Sequence, residues 1–178
     1  MWRVFLCLFR ACVALTYPGR WAPPGWVPDE NNDAPTQEEF VPRNMFGLQR
    51  PTGEGILNFD MNDRNVMIGD FDSDPGPGHP HDQVPIVKVG DLGVITRFLP
   101  QHRDSFFALV ACRVRGNMWY QTPEQFSETW KNVDSMESLN ADSVAGKYGW
   151  TTNLWQVGRL MTIMVRTSLT PYNLEPPK

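Results

Sequence analysis

A chain of 178 residues can bury one hydrophobic core, so a single domain with extensions is the starting expectation. Its 16 Lys and Arg against 20 Asp and Glu give a net charge of −4, which argues against a nucleic-acid coat. Three cysteines, Cys7, Cys12 and Cys112, form neither a complete disulfide framework nor a CxxC metal spacing, which favours a reducing or indifferent compartment.

Residues 1–17, MWRVFLCLFRACVALTY, carry Arg3 and Arg10 and no acid. Seven residues make nearly two helical turns, so the two arginines share a stripe on an otherwise apolar helix. Arg10 interrupts the apolar run a secretory signal needs, and the segment is shorter than the roughly 20 residues of a spanning helix. A basic, acid-free amphipathic helix is similar to a mitochondrial targeting segment or an interfacial membrane helix. The expectation is a retained helix whose arginines face headgroups, acids or water. A plain packing helix is the simpler alternative.

Residues 18–54 form an arm with seven prolines between Pro18 and Pro51. That density forbids regular helix and disfavours central strand, so the arm should run extended. Seven tryptophans and sixteen prolines in the whole chain suit segments that pack onto a partner. Trp21, Trp26, Phe40 and Phe46 are the arm's candidate partner-binding anchors.

Residues 55–71 alternate apolar and polar well enough for a hairpin, with Leu57, Phe59 and Met61 on one face and 62–65 as the turn. The acidic loop 70–82 then presents Asp70, Asp72 and Asp74 at the alternate spacing of a calcium loop. Pro75 stands where that loop needs Gly, and no Glu closes it. His79, His81 and Asp82 offer imidazole and carboxylate for a transition metal, but Pro80 stiffens the pair. The loop is expected to be metal-free.

Residues 84–121 read as an antiparallel meander or partly open barrel. Phe106 to Cys112 is an unbroken apolar run that fits a central strand covered on both faces, with 93–99 and 118–121 as its partners and Gly116-Asn117 as a turn. Within this block Lys88-Val89-Gly90-Asp91-Leu92-Gly93-Val94-Ile95 resembles the V-G-D entry of SH3-like barrels in several ribosomal proteins. The resemblance covers eight residues and implies an RNA-contacting barrel. Five basic residues against two acidic between Ile86 and Gly116 would let that face meet phosphate.

Thr122-Pro123-Glu124-Gln125 has an N-cap Thr, Pro at the first helical position and Gln at the third, which predicts a helix burying Phe126, Trp130 and Val133 and fading near 138–140. A GKYG turn opens a last helix over 151–167, where Arg159 and Arg166 again stand seven apart among apolar residues. The tail 169–178 should be extended.

The fold class is thus α+β: a helix at 1–17, the arm 18–54, a core over 55–168 and a short tail. No nucleophile elbow, phosphate-binding loop or metal spacing points to catalysis, and no catalytic residue, cofactor or small-molecule substrate is expected. The sequence is best matched by an accessory subunit of a large mitochondrial membrane complex of the respiratory chain or ATP synthase. Its partners would be other subunits, with peripheral inner-membrane contact through Arg3, Arg10, Arg159 and Arg166. A mitochondrial ribosomal protein is the first alternative, and a metal-dependent enzyme or calcium module the second.

Overall fold

The computed structural model describes residues 2–16, 55–69, 85–139 and 142–169, with side chains to 167. The arm 18–54, the acidic loop 70–82 and the tail beyond 169 lie outside the described residues. The fold is α+β: helix α1 (Trp2–Thr16), strands β1 (Gly55–Asn58), β2 (Val66–Ile68), β3 (Val87–Val89) and β4 (Ile95–Phe98), then α2 (Pro100–Arg103), α3 (Phe106–Arg113), α4 (Pro123–Phe126) and α5 (Trp150–Leu169).

The strands pair in nested antiparallel ladders. Gly55 to Asn58 of β1 lies opposite Phe98 to Ile95 of β4, and Val66 to Ile68 of β2 lies opposite Val89 to Val87 of β3. The alternation at 55–71 therefore marks two strands, as expected, but they do not form a hairpin with each other. Asp60 is the reason. Its carboxylate accepts from Asn62 Nδ2 (2.9 Å), Asn65 Nδ2 (2.8 Å) and the Asn117 backbone N–H (3.0 Å), holding 60–65 as a wide polar turn. Each strand instead finds its partner in the later segment 87–98, β1 with β4 and β2 with β3.

The meander expected over 84–121 is not formed, and the ladders do not close into a barrel. In the segment resembling an SH3-like barrel, Asp91 adopts a left-handed φ of 45° and leads into a single 3-10 turn at Leu92–Val94. The run Phe106 to Cys112 is helix rather than central strand. Ser105 caps it, accepting from the Ala108 N–H (3.4 Å). Leu109 and Cys112 are buried while Phe107, Ala111 and Val114 are exposed, so the run is apolar on a covered face and on an open one. Gly116 does take a positive φ of 76°, but it leads into a 3-10 turn at Met118–Tyr120 instead of a strand.

Two apolar clusters form the core. The first gathers Cys7, Leu8 and Cys12 of α1 with Met61, Val87, Tyr120, and Val157 and Leu160 of α5. Leu8 is fully buried, a contribution of about 1.5–3 kcal/mol, so the inward face of α1 is part of the core. The second joins Leu57, Phe59, Phe98, Leu109, Cys112, Trp130, Ala145 and Tyr148. Leu57, Phe59 and Met61 are all buried, but Met61 belongs to the first cluster and the other two to the second. Tyr148 meets Phe59 and Phe98 edge-on, with centroids 5.6 and 6.0 Å apart.

The half-helix after Thr122 is shorter than expected. Gln125 Oε1 accepts from the Thr122 N–H (3.0 Å), making one half of a capping box, while Thr122 Oγ1 is buried without a hydrogen-bond partner among the described residues. Ser127 then turns extended (φ −48°, ψ 135°) and accepts from the Thr129 N–H, restarting the chain as a 3-10 turn at Glu128–Asn132. Trp130 is buried as expected, whereas Phe126 is exposed.

Helix α5 matches its sequence expectation and ties the clusters together. Asn153 Oδ1 accepts from the Asn58 N–H (2.8 Å) and its Nδ2 donates to the Ile56 carbonyl (2.9 Å). This side chain supplies the donor and acceptor that a further strand would offer the edge of β1. One turn on, Gln156 Oε1 accepts from the Met61 N–H (3.1 Å).

Candidate functional site

The surface that stands out is the outer face of α5. Residues 153, 156, 157 and 160 point inward, and at 3.6 residues per turn the opposite face carries Thr151, Leu154, Trp155, Gly158, Arg159 and Thr162. These six residues line a groove of about 540 Å³. Their spacing spans three turns.

The segment 119–126 is laced against α5 beside this groove. Arg159 Nε donates to the Trp119 carbonyl (3.4 Å), Gln156 Nε2 to the Tyr120 carbonyl (3.4 Å) and Trp155 Nε1 to the Gln121 carbonyl (3.2 Å). Thr151 Oγ1 donates to Glu124 Oε1 (3.4 Å). With its carbonyls turned to the helix, the segment buries Tyr120 but leaves the side chains of Trp119 and Phe126, and of Met118 just before it, in the open. Met118 is 72% exposed, Trp119 70% and Phe126 56%, and Phe126 lies 6.4 Å from the half-open Trp155 ring. Helix α3 adds a second uncovered apolar stripe, with Phe107 85% exposed.

The groove is an open depression on the surface of α5. Its lining supplies apolar surface, hydroxyls and one guanidinium, and Thr162 Oγ1 is turned back onto the Gly158 carbonyl (2.8 Å). Among the described residues no cluster of His, Cys, Asp and Glu could hold a metal ion. None of the described helices is long and apolar enough to cross a membrane.

Of the residues singled out from sequence, Arg159 lies on the groove and Arg166 is exposed farther along α5. Arg3 and Arg10 are half-buried on α1, and Arg10 Nε is buried without a hydrogen-bond partner among the described residues. Trp21, Trp26, Phe40 and Phe46, like Asp70, Asp72, Asp74, His79, His81 and Asp82, lie outside the described residues. The aromatic rim of Trp119, Phe126 and Trp155 was not legible as a surface. The absence of any acid from α5 was the available signal, because a solvated helix face normally carries both charges.

Three buried titratable groups, Cys12, Cys112 and Tyr148, belong to the two core clusters. Burial pushes the Cys12 thiol up to about 12. Burial also raises Cys112, against a smaller opposing effect of Arg115, and raises Tyr148, with the charges of Cys112 and Glu124 adding to it. All three shifts favour the neutral form in the folded state. Their stabilisation is therefore fully present below the unfolded thiol value of about 9 and is lost as pH rises through the folded values. Urea midpoints should hold steady from pH 7 to 8.5 and then fall. Cys12→Ala should flatten the fall, and a midpoint that rises above pH 9 would contradict the burial of these groups.

Comparison of the chain with protein-family models, with curated proteins and with solved structures finds no match.

Proposed function

We propose that the chain is a non-catalytic accessory subunit of a large mitochondrial membrane complex, of the respiratory chain or ATP synthase, acting by packing against neighbouring subunits. One observation carries this reading. Hydrogen bonds from α5 to the Trp119, Tyr120 and Gln121 carbonyls fix the segment that carries Met118, Trp119 and Phe126, and Trp155 stands beside it on α5, so their exposure is built into the fold. Large aromatic side chains in such a position are what interfaces use as anchors. The acid-free, arginine-bearing α1 supports the organellar location and a peripheral contact with the inner membrane.

The test is incorporation of a Trp119→Ser/Phe126→Ser double variant in mitochondria. Neither ring packs in the two core clusters, so folding stability should stay within about 0.5 kcal/mol for each site. Hot-spot truncations cost about 2 kcal/mol or more each, so the incorporated fraction should fall by well over tenfold. Full incorporation of the double variant would refute the reading.

A further inference from the structure

We propose that the groove on α5 receives an amphipathic helix of a neighbouring subunit, its backbone crossing at Gly158 and an acidic side chain seated on the Arg159 guanidinium. The proposal rests on the accessory-subunit reading and names the partner chemistry of that same surface.

Gly158 is the first observation. Glycine weakens a helix interior, and nothing among the described residues requires one here: apart from its chain neighbours and the helix's own backbone, no atom lies within 4 Å of where its Cβ would stand, and its φ is not left-handed. Removing a side chain at the centre of the groove serves an approach from outside. Leu154 and Trp155 flank that point, with Thr151 and Thr162 a little under two turns and about one turn away, so the floor is narrow, apolar and long enough for a helix to lie across.

Arg159 is the second, independent observation. Among the described residues it makes one hydrogen bond, from Nε to the Trp119 carbonyl at 3.4 Å, and α5 contributes no carboxylate to pair with it. The guanidinium retains its planar donor edge for a carboxylate, which Arg binds in a two-pronged fashion. The same charges disfavour a second copy of this chain. Both ionisable residues of α5 are arginines, so two such faces laid together would bring like charges into one interface. A concave groove with an aromatic rim also fits a helix better than the flat plane of a lipid surface.

The experiment uses the full chain in mitochondria, with a photo-crosslinking phenylalanine analogue at Thr162 and crosslinked peptides mapped by mass spectrometry. The expected product joins Thr162 to a helical segment of another subunit that carries an acid. Arg159→Glu should reduce that product by about tenfold or more, Arg159→Lys should retain part of it, and Gly158→Leu should abolish it while the variant stays folded. Crosslinks to lipid, to a second copy of this chain, or to a segment insensitive to Arg159→Glu would overturn the proposal. A folded Gly158→Leu variant that still enters the complex in full would overturn the groove while leaving the subunit reading standing. A wild-type chain found outside any complex would overturn both.

Discussion

Gly116→Ala is expected to remove most of the stability of the isolated chain. A Cβ at this position would sit 1.7 Å from the Phe59 carbonyl oxygen and 2.6 Å from its carbon, both backbone atoms, and φ is +76°. The left-handed conformation alone costs an L-residue about 1–2 kcal/mol. The clash cannot be relieved by a rotamer change. Phe59 is buried in the second cluster, and its neighbours Asn58 and Asp60 are fixed by the Asn153 side chain and the Asn117 N–H. A loss of about 4 kcal/mol or more is expected, a large share of the 5–15 kcal/mol typical of a domain. Gly158→Ala is the control: its Cβ meets nothing, and helix propensity should raise stability by about 0.5–1 kcal/mol. Urea denaturation of both variants separates the two cases, and a Gly116→Ala variant within about 1 kcal/mol of the parent would contradict the close approach.

Gln125→Met should cost about 3 kcal/mol or more although it nearly preserves volume. Gln125 Nε2 lies within hydrogen-bonding distance of three carbonyls, Cys112 (2.9 Å), Arg115 (3.0 Å) and Arg113 (3.3 Å), and Oε1 accepts from the Thr122 N–H (3.0 Å). One buried amide thus satisfies the last carbonyls of α3 and starts α4. Methionine would leave those groups out of water and unpaired, at about 1–3 kcal/mol each before relaxation. Amide exchange should accelerate first in α3. The exposed Gln101→Met substitution should be neutral within about 0.5 kcal/mol, and equal effects at the two glutamines would refute this role.

Elements whose signals are local were legible in the sequence. Helix α5 runs from Trp150 to Leu169 against an expected 151–167, and α1 from Trp2 to Thr16 against 1–17, because each presents one periodic apolar face. Helix α3 was misread for a physical reason. Its outer residues Phe107, Ala111 and Val114 are as apolar as its inner Leu109 and Cys112, which erases the periodicity that distinguishes a half-buried helix from a covered strand. Ser105 was the overlooked cap. Strand pairing failed where partners are distant: β1 bonds to β4 some 40 residues on, and nothing near Gly55 encodes that choice.

The candidate site was legible only in part. Arg159 attracted attention through its spacing from Arg166, but Phe126 read as a core residue. What sets its segment along the outer face of the helix, beside Trp155, is the bonding of the Trp119, Tyr120 and Gln121 carbonyls to α5, across 34 to 40 residues of sequence. Asn153 and Gln156 are similar: polar positions on an inward face, unexplained until the backbone of 56–61, roughly 95 residues away, is set against them.

The proposed role as a packed subunit of a mitochondrial membrane assembly is tested most directly by native sizing. Mitochondrial membranes solubilised in mild detergent and separated by sedimentation should yield the endogenous chain in one high-mass peak, in fixed ratio to the other subunits of an energy-converting complex. Sedimentation as a single chain, or residence wholly outside mitochondria, would contradict it.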